Sequence, residues 1–286
     1  MMITDLLVAC VGLALAPFVG GLIAGVDRVV TARMQSRFGP PVLQPFYDVL
    51  KLFGKTPSHV NAWLVLCAYF TLVSSALALF LFFYKADLLL VFFVMTVGAV
   101  FQVMGALSVQ SPYSQVGAQR ELLQMLTYEP LIIIVFIGIA VKTGSFSIGS
   151  IFALDDPLLY SMPLLFLVLG VALTIKLRKS PFDISASHHG HQEIVRGVVT
   201  EYTGPQLAML EVAHWLDVVL ILGLCSLFWA TSLCGMLILI VVTYFIEILV
   251  DNISARMTWQ WMLKRVLVPG VALALVNLLW LYAYKI

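Results

Sequence analysis

A chain of 286 residues that is 62% hydrophobic and only 11% charged is not a soluble globular domain, because such domains carry about 25% charged residues. A formal charge of +1 leaves no basic stripe to neutralise phosphates, which excludes nucleic acid as a partner. Four cysteines, Cys10, Cys67, Cys225 and Cys234, stand singly in apolar runs. No C-x-x-C spacing is present to hold an iron–sulfur cluster or zinc, so they read as small buried hydrophobes and any electrons belong to another chain.

A membrane span needs about 20 largely apolar residues. Segments of that kind fall at about 3–25, 61–83, 87–109, 119–141, 158–177, 206–230, 233–251 and 266–284. Ala14-Leu15-Ala16 imitates a signal-peptide cleavage site, but no basic region precedes it, so 3–25 reads as an uncleaved first span. No Gly/Ser-rich linker divides the chain. The expectation is all-α: one polytopic membrane domain over 1–286 with about eight transmembrane helices.

Lys and Arg in short loops set orientation. The connections after spans one, three, five and seven, together with the adjoining span ends, hold thirteen basic residues, against Lys85, Lys142 and Lys285 on the other side. Loops 26–60, 110–118, 178–205 and 252–265 are therefore expected to be cytoplasmic, with both termini on the non-cytoplasmic side of the cell membrane.

In the first of these loops Arg28, Arg33 and Arg37 lie near the headgroups, and Gly39-Pro40-Pro41 breaks any helix. From Pro45, residues Phe46, Val49, Leu50 and Phe53 recur at helical spacing, with Asp48, Lys51 and Lys55 elsewhere on the wheel. This predicts a short amphipathic helix along the interface. The arginines read equally as a topology anchor.

Span four carries Glu121 and, roughly 12 Å further along the helix, Glu129. Pro130 follows at once and has no backbone N–H, so a kink or local unwinding is expected beside that acid. In span six Glu211, His214 and Asp217 step by three residues, each step climbing about 4.5 Å and turning about 60°. Span seven ends with Glu247 and Asp251 at i and i+4, on one face. Those two read equally as an ion-path pair and as partners of Arg256 or Lys264. An acid within a span costs about 2.5–3.5 kcal/mol on insertion scales and is rare unless functional. Burial moves carboxylates toward neutral pKa values, and histidine titrates there already, so these seven residues have the makeup of a proton or cation path.

The most polar stretch is Lys176–Gly204, with four basic residues, three acids and His188, His189 and His191. Adjacent histidines reach one ion only around a bent backbone, and no second ligand cluster supports them. A hydrogen-bonding or proton-relaying surface is the better reading, and no metal site is assigned. Neither a phosphate-binding glycine loop nor a nucleophile elbow is present.

Two motifs carry a resemblance. The first is R-x-Q-x-R-x-G-P…Q-P-x-x-D-x-x-K, present as Arg33, Gln35, Arg37, Gly39-Pro40, Gln44-Pro45, Asp48 and Lys51. The second is P-F-D…E…G…T-E-Y-T-G, present as Pro181-Phe182-Asp183, Glu193, Gly197 and Thr200-Glu201-Tyr202-Thr203-Gly204. In this order, and with the eight-span layout, they resemble the membrane subunit beside the quinone site of respiratory complex I. That family has an acid-rich run after P-F-D, whereas this chain has Ser185-Ala186-Ser187-His188-His189-Gly190-His191-Gln192-Glu193. This form is similar to the homologous subunit of energy-converting, Ech-type (group 4) nickel–iron hydrogenases, and quinone binding is not assigned.

The resemblance implies a non-redox subunit of an oxidoreductase complex linked to ferredoxin. Its expected partners are the hydrogenase large and small subunits, a ferredoxin-like iron–sulfur subunit and an antiporter-like membrane subunit. The nickel–iron centre and 4Fe-4S clusters would lie in those partners, with no cofactor held by this chain. It further implies that Asp183, Glu193 and Glu201 line the cytoplasmic loop beneath the small hydrogenase subunit and that the intramembrane acids form an ion path; Arg33, Arg37, Asp48, His188 and His191 are expected to join those three in a docking and coupling surface. The rivals are a quinone-site complex I subunit, a stand-alone secondary transporter, for which no internal repeat is evident, and a passive anchor whose acids are merely paired.

Overall fold

The computed structural model of the protein describes residues 2–56, 61–179, 196–255 and 257–284. Within them the chain is helix and turn, and an isolated antiparallel bridge joins Asp87 to Ser147. The helices are α1 (Met2–Met34), α2 (Gln44–Phe53), α3 (Ala62–Phe83), α4 (Leu88–Leu107), α5 (Pro112–Thr143), α6 (Ile148–Ile151), α7 (Leu158–Ser161), α8 (Pro163–Lys176), α9 (Pro205–Ser226), α10 (Leu233–Ile253), α11 (Trp259–Met262) and α12 (Val268–Tyr284). A π-helical turn, Leu263–Leu267, joins α11 to α12. Among the described residues seven stretches are long and apolar enough to cross a membrane: α1, α3, α4, α5, α9 with its 3-10 extension, α10, and the α11–α12 run. A helix satisfies its own backbone polar groups, which hydrocarbon requires.

The span expected at 158–177 departs from this rule. Met162 leaves helical geometry at φ −132° and ψ 50° and divides the stretch into α7 and the 14-residue α8. Pro163 is the cause, since proline disfavours the α region for the residue before it. The break is filled by Asn277 of α12, which is fully buried. Its side-chain oxygen accepts from the Leu165 N–H at 3.0 Å and its amide donates to the Ser161 carbonyl at 3.2 Å. The Leu165 N–H is one of the first-turn donors that have no partner within a helix.

Other boundaries also move. α1 runs on to Met34 instead of ending near residue 25, because nothing before Gly39-Pro40 stops it, so Asp27, Arg28 and Arg33 stand on a helix. α5 begins at Pro112, a residue favoured at a first helical position, and continues through Pro130 without a break. The unwinding expected beside Glu129 does not occur. One missing N–H is tolerated in a membrane helix where neighbouring groups serve the freed carbonyl.

The helices cluster into two units. The first comprises α1 to α3, α4 from Leu90, α5 to Leu122 and α9 to Leu220. Its core is formed by Leu64 and Ala68 of α3 with Tyr202, Leu207 and Leu210, and by Val49 of α2 with Ala208 and Trp215 of α9. Phe46 meets the Trp215 ring edge-on at 5.3 Å between centroids. Pro45 and Val49 thus bury one side of α2, while Leu50 and Phe53 stay open, as suits a helix lying along the headgroups. The second unit holds the rest of α5 and α9 with α6 to α8 and α10 to α12. Phe166 of α8 packs edge-on against Phe228 at 5.1 Å.

Candidate functional site

The polar end of the first unit is wired through Asp48. Arg28 donates to one of its carboxylate oxygens at 2.9 Å and the Gln44 amide to the other at 2.9 Å. Burial pulls the Asp48 pKa upward, but hydrogen bonds from Arg28 and Gln44, with the charges of Arg28 and Lys51, outweigh it and hold the carboxyl below its ordinary value. Arg33 lies over the Phe38 ring at 5.2 Å, and Arg37 donates to Gln35. The arginine–glutamine motif therefore folds partly onto itself, leaving Arg33 and Arg37 exposed. Arg28, outside that motif, proves to be the residue that secures Asp48.

The Thr200–Gly204 motif turns two adjacent residues in opposite directions. Glu201 is exposed, whereas Tyr202 is 3% exposed. The Tyr202 ring runs into the unit beside Cys67 of α3 and Gly105 of α4, where its hydroxyl occupies the space a Gly105 side chain would need. Among the described residues that hydroxyl has no hydrogen-bond partner, and burial, with the Cys67 thiol nearby, raises its pKa above the ordinary phenol value. Just before the motif, the Gly197–Val198 backbone lies so close to α5 that a Cβ at Gly117 would sit 2.5 Å from the Val198 nitrogen. A backbone-to-backbone contact and a buried ring thus anchor the segment that presents Glu201.

Of the ionisable residues within spans, the first unit holds Glu121 on α5 and Glu211, His214 and Asp217 on α9. Glu121 is buried at 5% exposure, and the three α9 groups are half-buried. The second unit holds Glu129, half-buried on α5, and Glu247 and Asp251 on α10. None of the seven is exposed, although many apolar side chains around them are.

The structure brings Glu247 and Asp251 together with residues that sequence reasoning passed over. Glu247 is 4% exposed and lies within reach of the Thr174 hydroxyl of α8, while among the described residues its second oxygen has no hydrogen-bond partner. Asp251 pairs with Lys179 at 3.9 Å. Lys179 also lies over the Tyr244 ring at 5.7 Å, and Lys176 over the Tyr128 ring at 5.5 Å. The signal for Lys179 was its place at the end of an apolar run, where lysine reads by default as an interfacial anchor. Asp183, His188, His191 and Glu193 lie outside the described residues, as do Arg256 and His189.

The chain matches the NADH dehydrogenase family over residues 6–282. It is 32% identical over 212 residues to hydrogenase-4 component C of Escherichia coli strain K12, covering 68% of this chain and 64% of that protein. It is 29% identical over 217 residues to NADH-ubiquinone oxidoreductase chain 1 of Paracentrotus lividus, covering 68% of this chain and 65% of that one. The chain thus spans just under two thirds of the length of these two relatives. A chain of the archaeal membrane-bound sulfane sulfur reductase, a respiratory membrane complex, shares the fold with a TM-score of 0.87 at 25% identity, over 96% of this chain and 99% of that chain. A match along almost the whole sequence, on an all-helical membrane fold, makes the protein a member of the NADH dehydrogenase family of multi-pass membrane subunits.

Proposed function

We propose that this chain is the membrane subunit of an energy-converting hydrogenase, docking a peripheral nickel–iron and iron–sulfur module and coupling its chemistry to proton or sodium movement. The observation that carries the reading is the burial pattern of its in-span ionisable groups: all seven are withdrawn from the exposed surface. Hydrocarbon does not retain idle charge, and such residues mark ion pathways far more often than packing. The hydrogenase-4 component and formate hydrogenlyase subunit 4 of E. coli, the latter 27% identical over 222 residues, support the hydrogenase side of the family.

In this reading Arg33, Arg37, Asp48 and Glu201, with Asp183, His188, His191 and Glu193 of the polar loop, face the peripheral module on the cytoplasmic side. Glu121, Glu129, Glu211, His214, Asp217, Glu247 and Asp251 carry the ion. The distribution of Lys and Arg supports placing both termini on the non-cytoplasmic side of the cell membrane. The redox centres sit in partner chains: large and small hydrogenase subunits and a ferredoxin-like one, with an antiporter-like subunit alongside in the membrane.

The test is the purified complex. Nickel and iron in it, with hydrogen evolved from reduced ferredoxin, are the expected result. A complex free of nickel that reduces quinone and is blocked by quinone-site ligands contradicts it. One observation favours a second reading: the sulfane sulfur reductase chain is matched over nearly its full length. A complex that reduces sulfane sulfur but evolves no hydrogen would place the chain there.

A further inference from the structure

The end of α8 is closed by a backbone device that fixes one lysine. Arg178 adopts the left-handed conformation at φ 56°, and the N–H groups of Arg178 and Lys179 return to the carbonyls of Ile175 and Thr174, both at 3.0 Å. This is the pairing that caps a helix through a left-handed residue. It holds the Lys179 backbone against the turn that carries Thr174.

From there the lysine side chain reaches across to α10 and is almost withdrawn from solvent, with 11% of it exposed. Tyr244, Glu247 and Asp251 follow one another at spacings of three and four, so they share one face of α10. The ammonium touches both ends of that stripe, lying over the Tyr244 ring at 5.7 Å and 3.9 Å from the Asp251 carboxylate. Glu247 lies between them, near the Thr174 hydroxyl, and one of its oxygens has no hydrogen-bond partner among the described residues. The groups facing it are Lys179 and Thr174 at the end of α8, Cys225 on α9, and Tyr244 and Asp251 on its own helix.

We propose that Lys179 is a tethered cation occupying a two-carboxylate site formed by Glu247 and Asp251, and that a proton binds the bare oxygen of Glu247 in exchange when that ammonium is withdrawn. The proposal rests on the reading of Glu247 as part of an ion path and adds what controls it. Charge balance is the reason. The Lys179 ammonium offsets negative charge on both carboxylates of the stripe. Without the ammonium, two like charges one helical turn apart remain in a poorly solvated place, and uptake of one proton restores the balance. A proton needs only the oxygen that is already bare, so no rearrangement of Thr174 is required.

The experiment is infrared difference titration of the purified, detergent-solubilised complex, following the C=O stretch of protonated carboxyl groups, with Glu247→Gln to assign the Glu247 band. Lys179→Gln is expected to keep that band to a pH about one unit higher than wild type, and Lys179→Arg to leave it in place. Asp251→Asn is expected to move it the opposite way, because the ammonium then serves Glu247 alone. A band unmoved in both Lys179→Gln and Asp251→Asn overturns the proposal, as does a shifting band that survives Glu247→Gln. Asp251→Asn retains the lysine and tests the coupling even where Lys179→Gln does not assemble. No turnover is involved. Full-rate ion transport in Glu247→Gln would therefore sink the ion-path reading while leaving this result intact.

Discussion

The hydroxyl of Tyr202 fills the space that a side chain at Gly105 would occupy, so the loop preceding α9 is locked to α4 by shape alone. A Cβ at Gly105 would also press to within 3.1 Å of the Cys67 side chain. Gly105→Ala should therefore displace the Tyr202 ring and destabilise the complex by about 1–3 kcal/mol, the usual cost of overpacking. Thermal unfolding of the purified complex measures this. An unchanged midpoint would show that the ring is not held.

Tyr202→Phe tests the same contact from the other side. The hydroxyl is buried and has no hydrogen-bond partner among the described residues, and removing such a group relieves a desolvation penalty without losing a bond. Phenylalanine should be neutral or stabilising by up to about 1 kcal/mol, read as an equal or higher unfolding midpoint. A marked fall would reveal a partner for the hydroxyl in the assembled complex.

Asn277 bridges a helix break that neither hydropathy nor periodicity announces. Asn277→Leu leaves the Leu165 N–H and the Ser161 carbonyl without their partner, at about 1–3 kcal/mol for each buried group. The variant should unfold at lower temperature and open to protease between α7 and α8. Resistance equal to wild type would contradict the bridging role.

The Arg28–Asp48 pair predicts a pH dependence with a definite sign. The Asp48 pKa is lowered in the folded state, so its contribution is full above the ordinary carboxylate range and is lost as pH falls through the lowered value. Both side chains are well exposed, at 42% and 44%, which limits the pair to between roughly 0 and 1 kcal/mol. The difference in unfolding midpoint between wild type and Asp48→Asn should shrink on acidification. A difference that grows toward acid would reverse the assignment.

Much of this was legible in the sequence, for physical reasons. Hydrocarbon demands long apolar runs, so the membrane class and most helices could be read directly, and Phe46 and Val49 marked α2 by their spacing. The rest depends on what meets across helices. Pro163 looked like an ordinary residue within a span until Met162 was seen to break before it, and Asn277 stands 112 residues from its Leu165 partner. The Asp251 partner Lys179 stands 72 residues away in the chain, just past the end of α8, where no local spacing points to it. Thr174 gave no signal, because a hydroxyl in an apolar run declares its role only through the neighbours that folding supplies, and Tyr202 was marked only as a motif member, not as the ring that fills the space beside Gly105.

We propose that the acids within the spans move the ion that couples to redox chemistry, and the most direct measurement is ion transport by the intact complex in proteoliposomes carrying Asp217→Asn or Glu129→Gln. The account predicts that transport driven by hydrogen evolution falls to background in each variant while the complex still assembles. Transport at the wild-type rate in both would contradict it.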